Sequence, residues 1–313
     1  MPNNQGPHVV LGAAGGAGRA VVNELTNRDL PVRAVSRGGD TEFPEGVEIA
    51  PADCTDADAT KRACEDAAVI YNCLNVPYEQ WADLLPILTE NSIAAASRAD
   101  APLIMTDNLY MYGPTDGLMT EDTPRQPKGP KGQLRMEMEN MLLGAHKQGR
   151  ARVAIGRASD FYGPYANSST RELVFEAVLD GKTAAWLGSL DAPHTMTYLS
   201  DFARGLVTLG TREEALGEIW HLPSNEPITG RRFIEMVYRA LGEEPSMRAY
   251  GYWSLTLAGL FDVQVREAKE VLYQFQDPFV MDTSKFEDAF GATVTPYDTA
   301  IRETLDWHRA QRV

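Results

Sequence analysis

Cysteine is scarce in this chain. Only Cys54, Cys64 and Cys73 occur among 313 residues. An odd number without metal-like spacing argues against a disulfide framework or a thiolate metal site and leaves them as reduced packing residues. No metal is expected. Basic side chains are in deficit, 29 Lys and Arg against 44 Asp and Glu, for a net charge of −15. Such a chain offers no basic surface to nucleic acid or to an anionic membrane. Long apolar runs are also missing, and none approaches the roughly 18 to 20 residues of a membrane-spanning helix. The first residues, Met1-Pro2-Asn3-Asn4-Gln5-Gly6-Pro7, lack the charged and apolar regions of a signal peptide, so a cytoplasmic location is expected.

Glycine, by contrast, is concentrated where it matters. Val9-Val10-Leu11 runs into Gly12-Ala13-Ala14-Gly15-Gly16-Ala17-Gly18 and re-emerges with helical spacing at Arg19-Ala20-Val21-Val22. This reads as a strand, a tight turn and a helix N-terminus. Gly12, Gly15, Gly16 and Gly18 let the backbone bring helix-end N–H groups up to a diphosphate, where the helix dipole also favours negative charge.

Apolar runs then alternate with helical spacing through the first half. Strands are expected near 31–36, 47–50, 67–74, 102–106 and 152–156, with helices near 57–66, 78–99 and 131–148. That order implies parallel strands with right-handed crossovers, a doubly wound α/β sheet of the Rossmann kind. Residues 107–130, rich in Gly, Pro, Asp and Thr, read as a long loop at a strand's carboxyl end, where open α/β sheets place ligands. Beyond Arg157 the pattern loosens into shorter elements: helices near 170–180, 201–209, 231–241, 266–275 and 297–308, and strands near 184–187 and 195–199. The division expected is a nucleotide-binding domain over 1–165 and a smaller mixed α/β substrate lobe over 166–313, with a possible return of one strand and helix to the first domain. Substrate is expected in the cleft of that lobe with the sheet.

The second strand speaks to the cofactor. An NAD site usually offers a carboxylate about 20 residues beyond the glycines, whereas NADP needs a cation for its 2′-phosphate. Here the strand ends in Ser36-Arg37-Gly38-Gly39. Arg37 supplies a planar donor fork suited to phosphate and Ser36 a hydroxyl donor. NADP is therefore favoured over NAD, the alternative being that Asp40 approaches the ribose.

Several stretches together resemble the extended short-chain dehydrogenase/reductases, the NAD(P)-dependent epimerase/dehydratase-like group. Gly12-x-x-Gly15-x-x-Gly18 resembles that family's diphosphate turn, and Ala52-Asp53-Cys54-Thr55-Asp56 its adenine-contacting segment, which marks Asp53 and Cys54 as cofactor residues. Tyr112-Gly113-Pro114, Arg157-Ala158-Ser159-Asp160-Phe161-Tyr162-Gly163-Pro164, Thr197-Tyr198-Leu199-Ser200-Asp201-Phe202-Ala203 and Met281-Asp282-Thr283-Ser284-Lys285 resemble later signatures, so the likeness covers nearly the whole chain.

The catalytic positions depart from that pattern. The family places Ser or Thr four residues before the Tyr of its Tyr-Gly motif; here that residue is Asn108. Aligning the family's Tyr-x-x-x-Lys on the helix residue Glu139 puts Lys131 at the tyrosine position and Arg135 at the lysine position. The usual triad is missing. Asn108 keeps an amide donor for a substrate oxygen, Arg135 keeps a cation for a cofactor ribose, and Lys131 offers a proton or a positive charge beside a developing oxyanion. Tyr110, two residues after Asn108, shares its face if strand alternation persists, and is the candidate proton donor; Asp107 is a weaker candidate, with bracing of the loop as its alternative role. Nucleotide-sugar members carry an arginine for the substrate diphosphate where this chain has His194, either a substrate group or simply a hydrogen-bonded histidine. Trp81, Tyr162, Tyr165, Trp186 and Trp253 are candidates for an aromatic wall.

These readings lead to an NADP(H)-dependent oxidoreductase acting on a small, largely apolar carbonyl, alcohol or enone. The alternatives are a sugar-type epimerase or dehydratase with tightly held cofactor, and a catalytically inactive NADP-binding regulatory or scaffold protein. A small-molecule substrate and a homodimer, through helices 78–99 and 131–148, are the expected partners.

Overall fold

A computed structural model of the chain describes residues 6–38, 42–115, 117–251 and 269–312. These residues form two compact units. The first comprises 1–108, 133–157 and 202–222, and the second 109–132, 158–201 and 223–313. The chain passes back and forth between the units at each of these bounds; the sequence pointed to a boundary near 165 with a possible return of one strand and helix, and 202–222 is counted with the first unit.

The first unit is built in chain order from β1 (His8–Leu11), α1 (Gly16–Asn27), β2 (Val32–Ser36), β3 (Glu48–Pro51), α2 (Ala57–Ala63), β4 (Val69–Asn72), α3 (Trp81–Ala99), β5 (Leu103–Asp107), α4 (Pro130–Lys147), β6 (Val153–Arg157), α5 (Leu199–Gly210) and β7 (Ile219–His221). The seven strands pair in parallel in the order β7-β6-β5-β4-β1-β2-β3. This is the doubly wound α/β sheet that the strand-helix alternation implied. Strands β1, β4 and β6 are buried at every position, as continuous apolar runs covered by helices on both faces must be. The strand sequence reverses direction between β1 and β4, and in such sheets the crevice at that switch point, outside the carboxyl ends, is where ligands sit.

The seventh strand is a return of the chain to the first sheet, at a place the sequence did not mark. Ile219-Trp220-His221 pairs in register with Ile155-Gly156-Arg157, after a long excursion of the chain through the second unit. Gly156 makes room for it, since a Cβ there would stand 2.8 Å from the Leu206 side chain and 2.9 Å from that of Leu222.

The second unit has no large sheet among its described residues. Short pairs join 160–162 to 196–198 and 184–187 to 247–250 in parallel, and 193–194 to 228–229 antiparallel. Its core gathers Tyr162, Phe175, Trp186, Tyr198, Phe233 and Ile301. The helix expected near 170–180 begins as a π-helical turn at Arg171–Glu176. That expected near 266–275 lies partly outside the described residues, and Lys269–Phe275 forms 3-10 turns. Cys54, Cys64 and Cys73 are free and buried. Among the described residues no helix is long and apolar enough to cross a membrane, and no group of His, Cys, Asp and Glu is arranged to hold a metal ion.

Candidate active site

The glycine loop runs from the carboxyl end of β1 to the start of α1, and its glycines fall into two kinds. Gly12 has φ +78°, and a Cβ there would lie 2.8 Å from the Cys73 carbonyl oxygen on the neighbouring strand end. At Gly18 a Cβ would overlap the Gly12 carbonyl. Both are demanded by the chain's own packing. Gly15 is not: it has φ −76° and ψ 166°, open to any residue, and a Cβ would make only an ordinary 3.4 Å contact with the Gly12 oxygen. Gly15 is nevertheless exposed at the N-cap of α1, with no side chain capping the helix. Gly16 opens the helix. A missing side chain that nothing internal requires, beside uncapped helix N–H groups, fits an anionic ligand approaching from outside.

At the end of β2 the Ser36 hydroxyl donates to the Gly38 carbonyl at 2.6 Å, so it closes the turn rather than reaching outward. Arg37 is exposed beside it. Asp40 lies outside the described residues. After β3, Asp53 accepts from the Thr55 backbone N–H and hydroxyl at 3.0 and 2.8 Å. Those bonds hold its carboxyl below the usual range, with a smaller effect from the Arg37 charge. Cys54 turns inward: it is buried, its carbonyl accepts from Asn91 Nδ2 at 2.9 Å, and burial pushes its thiol up to about 11. Of this pair, Asp53 presents a functional group and Cys54 anchors the segment.

Arg135 belongs to a buried charge cluster. Arg157, fully buried at the end of β6, donates Nε to Asp107 Oδ2 at 3.0 Å and also grips Glu139. Arg135 Nη1 reaches Asp107 Oδ1 at 3.4 Å, and its guanidinium lies 4.3 Å over the Trp81 ring. Two cations and two carboxylates thus offset one another in a dry setting. Asp107 braces both arginines. Arg135 Nε is buried without a hydrogen-bond partner, a donor that a bound acceptor would satisfy.

Asn108 follows β5 directly and is half-buried. The strand ends at Asp107, so strand alternation does not carry on to Tyr110, which opens a one-turn 3-10 helix, Tyr110–Tyr112. This turn packs against the start of α4, where a Cβ on Gly132 would stand 2.5 Å from the Tyr110 carbonyl oxygen. Tyr110 and Lys131 are thereby brought into one corner of the second unit. Lys131 is buried and paired with Glu270, Nζ to Oε2 at 3.0 Å.

His194 is a packed residue. Its ring lies between Phe275 and Phe279 at centroid separations of 4.9 and 5.4 Å, Nδ1 meets the Gln274 carbonyl at 3.1 Å and Nε2 meets Asp160 at 2.8 Å. Both ring nitrogens are engaged within the protein. The aromatic wall dissolves likewise: Trp186 and Tyr162 are core, Trp81 lies under Arg135, Tyr165 packs on Trp307, and Trp253 is outside the described residues. Glu270 is the residue at this corner that sequence reasoning missed. One glutamate lying 139 residues from its partner carries no local signal.

A seven-stranded parallel sheet with a glycine loop at its switch point defines a dinucleotide-binding α/β protein. Residues 8–222 match the model of the NAD dependent epimerase/dehydratase family, and the chain belongs to that family. Among curated proteins, the uncharacterized protein y4nL of Sinorhizobium fredii (strain NBRC 101917 / NGR234) is 30% identical over 267 residues, 77% of this chain and 74% of that protein. A dTDP-glucose 4,6-dehydratase of Streptomyces niveus is 24% identical over 213 residues, 67% of this chain and 57% of that one. The UDP-glucose 4-epimerase of Thermus thermophilus, solved with NAD, is similar in structure with TM-score 0.78 and 17% identity, over 97% of this chain and 99% of that one. The dTDP-glucose 4,6-dehydratase of Bacillus anthracis str. Ames, also solved with NAD, gives 0.80 and 16%, over 98% and 97%. At such identities the two structures speak to the fold.

Proposed function

We propose that the chain is an NADP(H)-dependent oxidoreductase acting on a small, largely apolar carbonyl, alcohol or enone. The observation that carries this reading is the contrast within the glycine loop, where Gly12 and Gly18 are fixed by internal packing and Gly15 is left bare toward solvent. Exposed Arg37 at the end of β2 favours the 2′-phosphate of NADP over the bare ribose of NAD. The bound nicotinamide supplies or accepts the hydride. Asn108 donates an amide hydrogen bond to the reacting oxygen, Tyr110 passes it a proton, and Lys131 places positive charge beside it. Arg135, whose Nε is buried without a hydrogen-bond partner, would help hold the cofactor.

The structural likeness to a sugar epimerase and a sugar dehydratase, both solved with NAD, supports a second reading, in which the cofactor is oxidised and reduced within each turnover. Against it stand the absent Tyr-x-x-x-Lys and the engaged nitrogens of His194. One set of measurements separates them. NADPH and NADH are titrated into the purified protein, and net oxidation is followed with cyclohexanone, benzaldehyde and 2-cyclohexen-1-one, with UDP-glucose and dTDP-glucose in parallel. Tighter NADPH binding and net oxidation with the carbonyls, lost in Tyr110→Phe and Lys131→Met, are expected. Equal or tighter NADH binding overturns the NADP assignment. Conversion of a nucleotide sugar without net cofactor consumption establishes the second reading, and cofactor binding with no turnover of any compound points to a regulatory protein.

We further propose a homodimer through α3 and α4, on which Ile87 stands 45% exposed; a monomer by light scattering would refute it.

A further inference from the structure

Lys131 stands at the start of α4 as an ammonium inside the protein, and a charge so placed brings a problem of its own. Lys131 is buried, with its side chain 6% exposed. Burial disfavours the charged form, and a four-carbon stem with free rotors does not fix a head group in space. Glu270 answers both. Its Oε1 accepts the Lys131 backbone N–H at 2.7 Å, and its Oε2 accepts the Lys131 ammonium at 3.0 Å. One carboxylate therefore clasps both ends of the same residue. Gly129 leaves space for it, since a Cβ there would stand 2.5 Å from Glu270 Oε1.

We propose that Glu270 is a positioning residue of the reaction centre, holding the Lys131 ammonium charged and in a fixed place. This rests on the reading of Lys131 as the group that supplies positive charge to the reacting oxygen. The carboxylate also lies at the N-terminus of α4, where unpaired N–H groups and the helix dipole favour an anion, so a purely structural cap is the competing account. A cap needs only an acceptor oxygen, whereas holding an ammonium charged needs a negative charge. Glu270→Gln separates the two, because its amide oxygen still accepts the Lys131 N–H. Among the described residues, other groups near the pair include Lys128, 5.5 Å over the Tyr273 ring, Lys269, and Tyr273 itself, whose phenol is pushed up by burial and further by the Glu270 and Asp160 charges.

The test needs neither cofactor nor substrate in its first arm. Side-chain ¹⁵N spectra of lysine-labelled protein, with the Lys131 signal assigned from Lys131→Arg, are titrated for wild type, Glu270→Gln and Glu270→Asp. The Lys131 midpoint is expected to fall by about one to three pH units in Glu270→Gln, the scale of losing an adjacent opposite charge, and by less in Glu270→Asp. By linkage the thermal midpoint of Glu270→Gln should fall at neutral pH and fall less above the wild-type Lys131 midpoint, with far-UV circular dichroism showing that the variant remains folded. In the second arm, on whichever carbonyl of the panel oxidises NADPH, kcat should fall with its alkaline limb displaced by the same interval, KM should hold, and Glu270→Asp should recover part of the rate. A midpoint that moves by less than half a pH unit reduces Glu270 to a cap and overturns the proposal, as does a displaced midpoint with an unmoved alkaline limb. Full turnover in Lys131→Met refutes the role of Lys131 itself, a failure of the functional reading that the titration cannot mimic.

Discussion

Replacing Gly15 by alanine isolates ligand binding from folding. In the folded chain the new methyl meets only the Gly12 carbonyl oxygen, at 3.4 Å, with backbone angles of −76° and 166° that alanine adopts freely. Two effects on stability oppose one another. Alanine reduces the freedom of the unfolded chain, which stabilises by about 0.4–1 kcal/mol, while alanine is a poorer N-cap than glycine by a similar amount. The net change should be within about 1 kcal/mol of zero in urea denaturation. Affinity should respond differently, because the methyl projects where a diphosphate would meet the first N–H groups of α1. Loss of one hydrogen bond to a charged group, about 1.5–3 kcal/mol, corresponds to a Kd for NADPH raised about ten- to a hundredfold. Gly18→Ala is the control with the opposite signature: its methyl would overlap the Gly12 backbone, so the fold itself should fail. Wild-type NADPH affinity in a well-folded Gly15→Ala protein would refute the placement of the diphosphate at this loop.

Other expectations concern the buried charges. Asp107→Ala removes the carboxylate that Arg135 and Arg157 share and should destabilise by about 3–5 kcal/mol, the scale of an uncompensated buried charge; Asp107→Asn, which keeps an acceptor, should lose less, and equal losses in urea melts would contradict the ion-pair account. His8, buried at the start of β1 with Nδ1 3.1 Å from the Tyr71 hydroxyl, has its pKa lowered by burial from 6.5 to about 4. Below pH 6.5 the unfolded chain therefore binds the extra proton, so this contribution is complete above that pH and is lost as pH falls toward 4. Between about pH 8 and pH 5 it amounts to about 2 kcal/mol, and His8→Phe should flatten the stability curve over that interval by as much; an unchanged slope would show that His8 does not titrate there. Arg37→Ala should weaken NADPH binding at least about tenfold and leave NADH nearly unmoved, because one charge-assisted phosphate contact accounts for about that much; a parallel loss for both cofactors would place Arg37 elsewhere than at the 2′-phosphate.

What the sequence discloses and what it conceals divide along a physical line. Strands β1, β4 and β6 were legible because each is an apolar run that a strand buried on both faces must show, whereas the exposed β3 was placed by its position after β2. Ile219-Trp220-His221 is too short for any period, and its pairing with β6 is settled by tertiary contact alone. The same line runs through the site. The glycine loop is a local demand on the backbone, so it stands in the sequence as spacing. Lys131 stands out in the sequence through the resemblance to a motif that carries tyrosine there, yet its counter-charge does not: Glu270 is one of 44 acidic residues and reaches its partner across 139 positions. His194 shows the converse, a residue singled out by alignment whose two nitrogens the fold engages with Gln274 and Asp160. A candidate side chain therefore has to be read together with what neutralises, packs or aims it, and for Lys131 that partner, Glu270, lies on a segment far away in sequence. Lys131 and Glu270 accordingly form one unit, joined at both the backbone N–H and the ammonium, and substitutions at either member should be interpreted with the other in view.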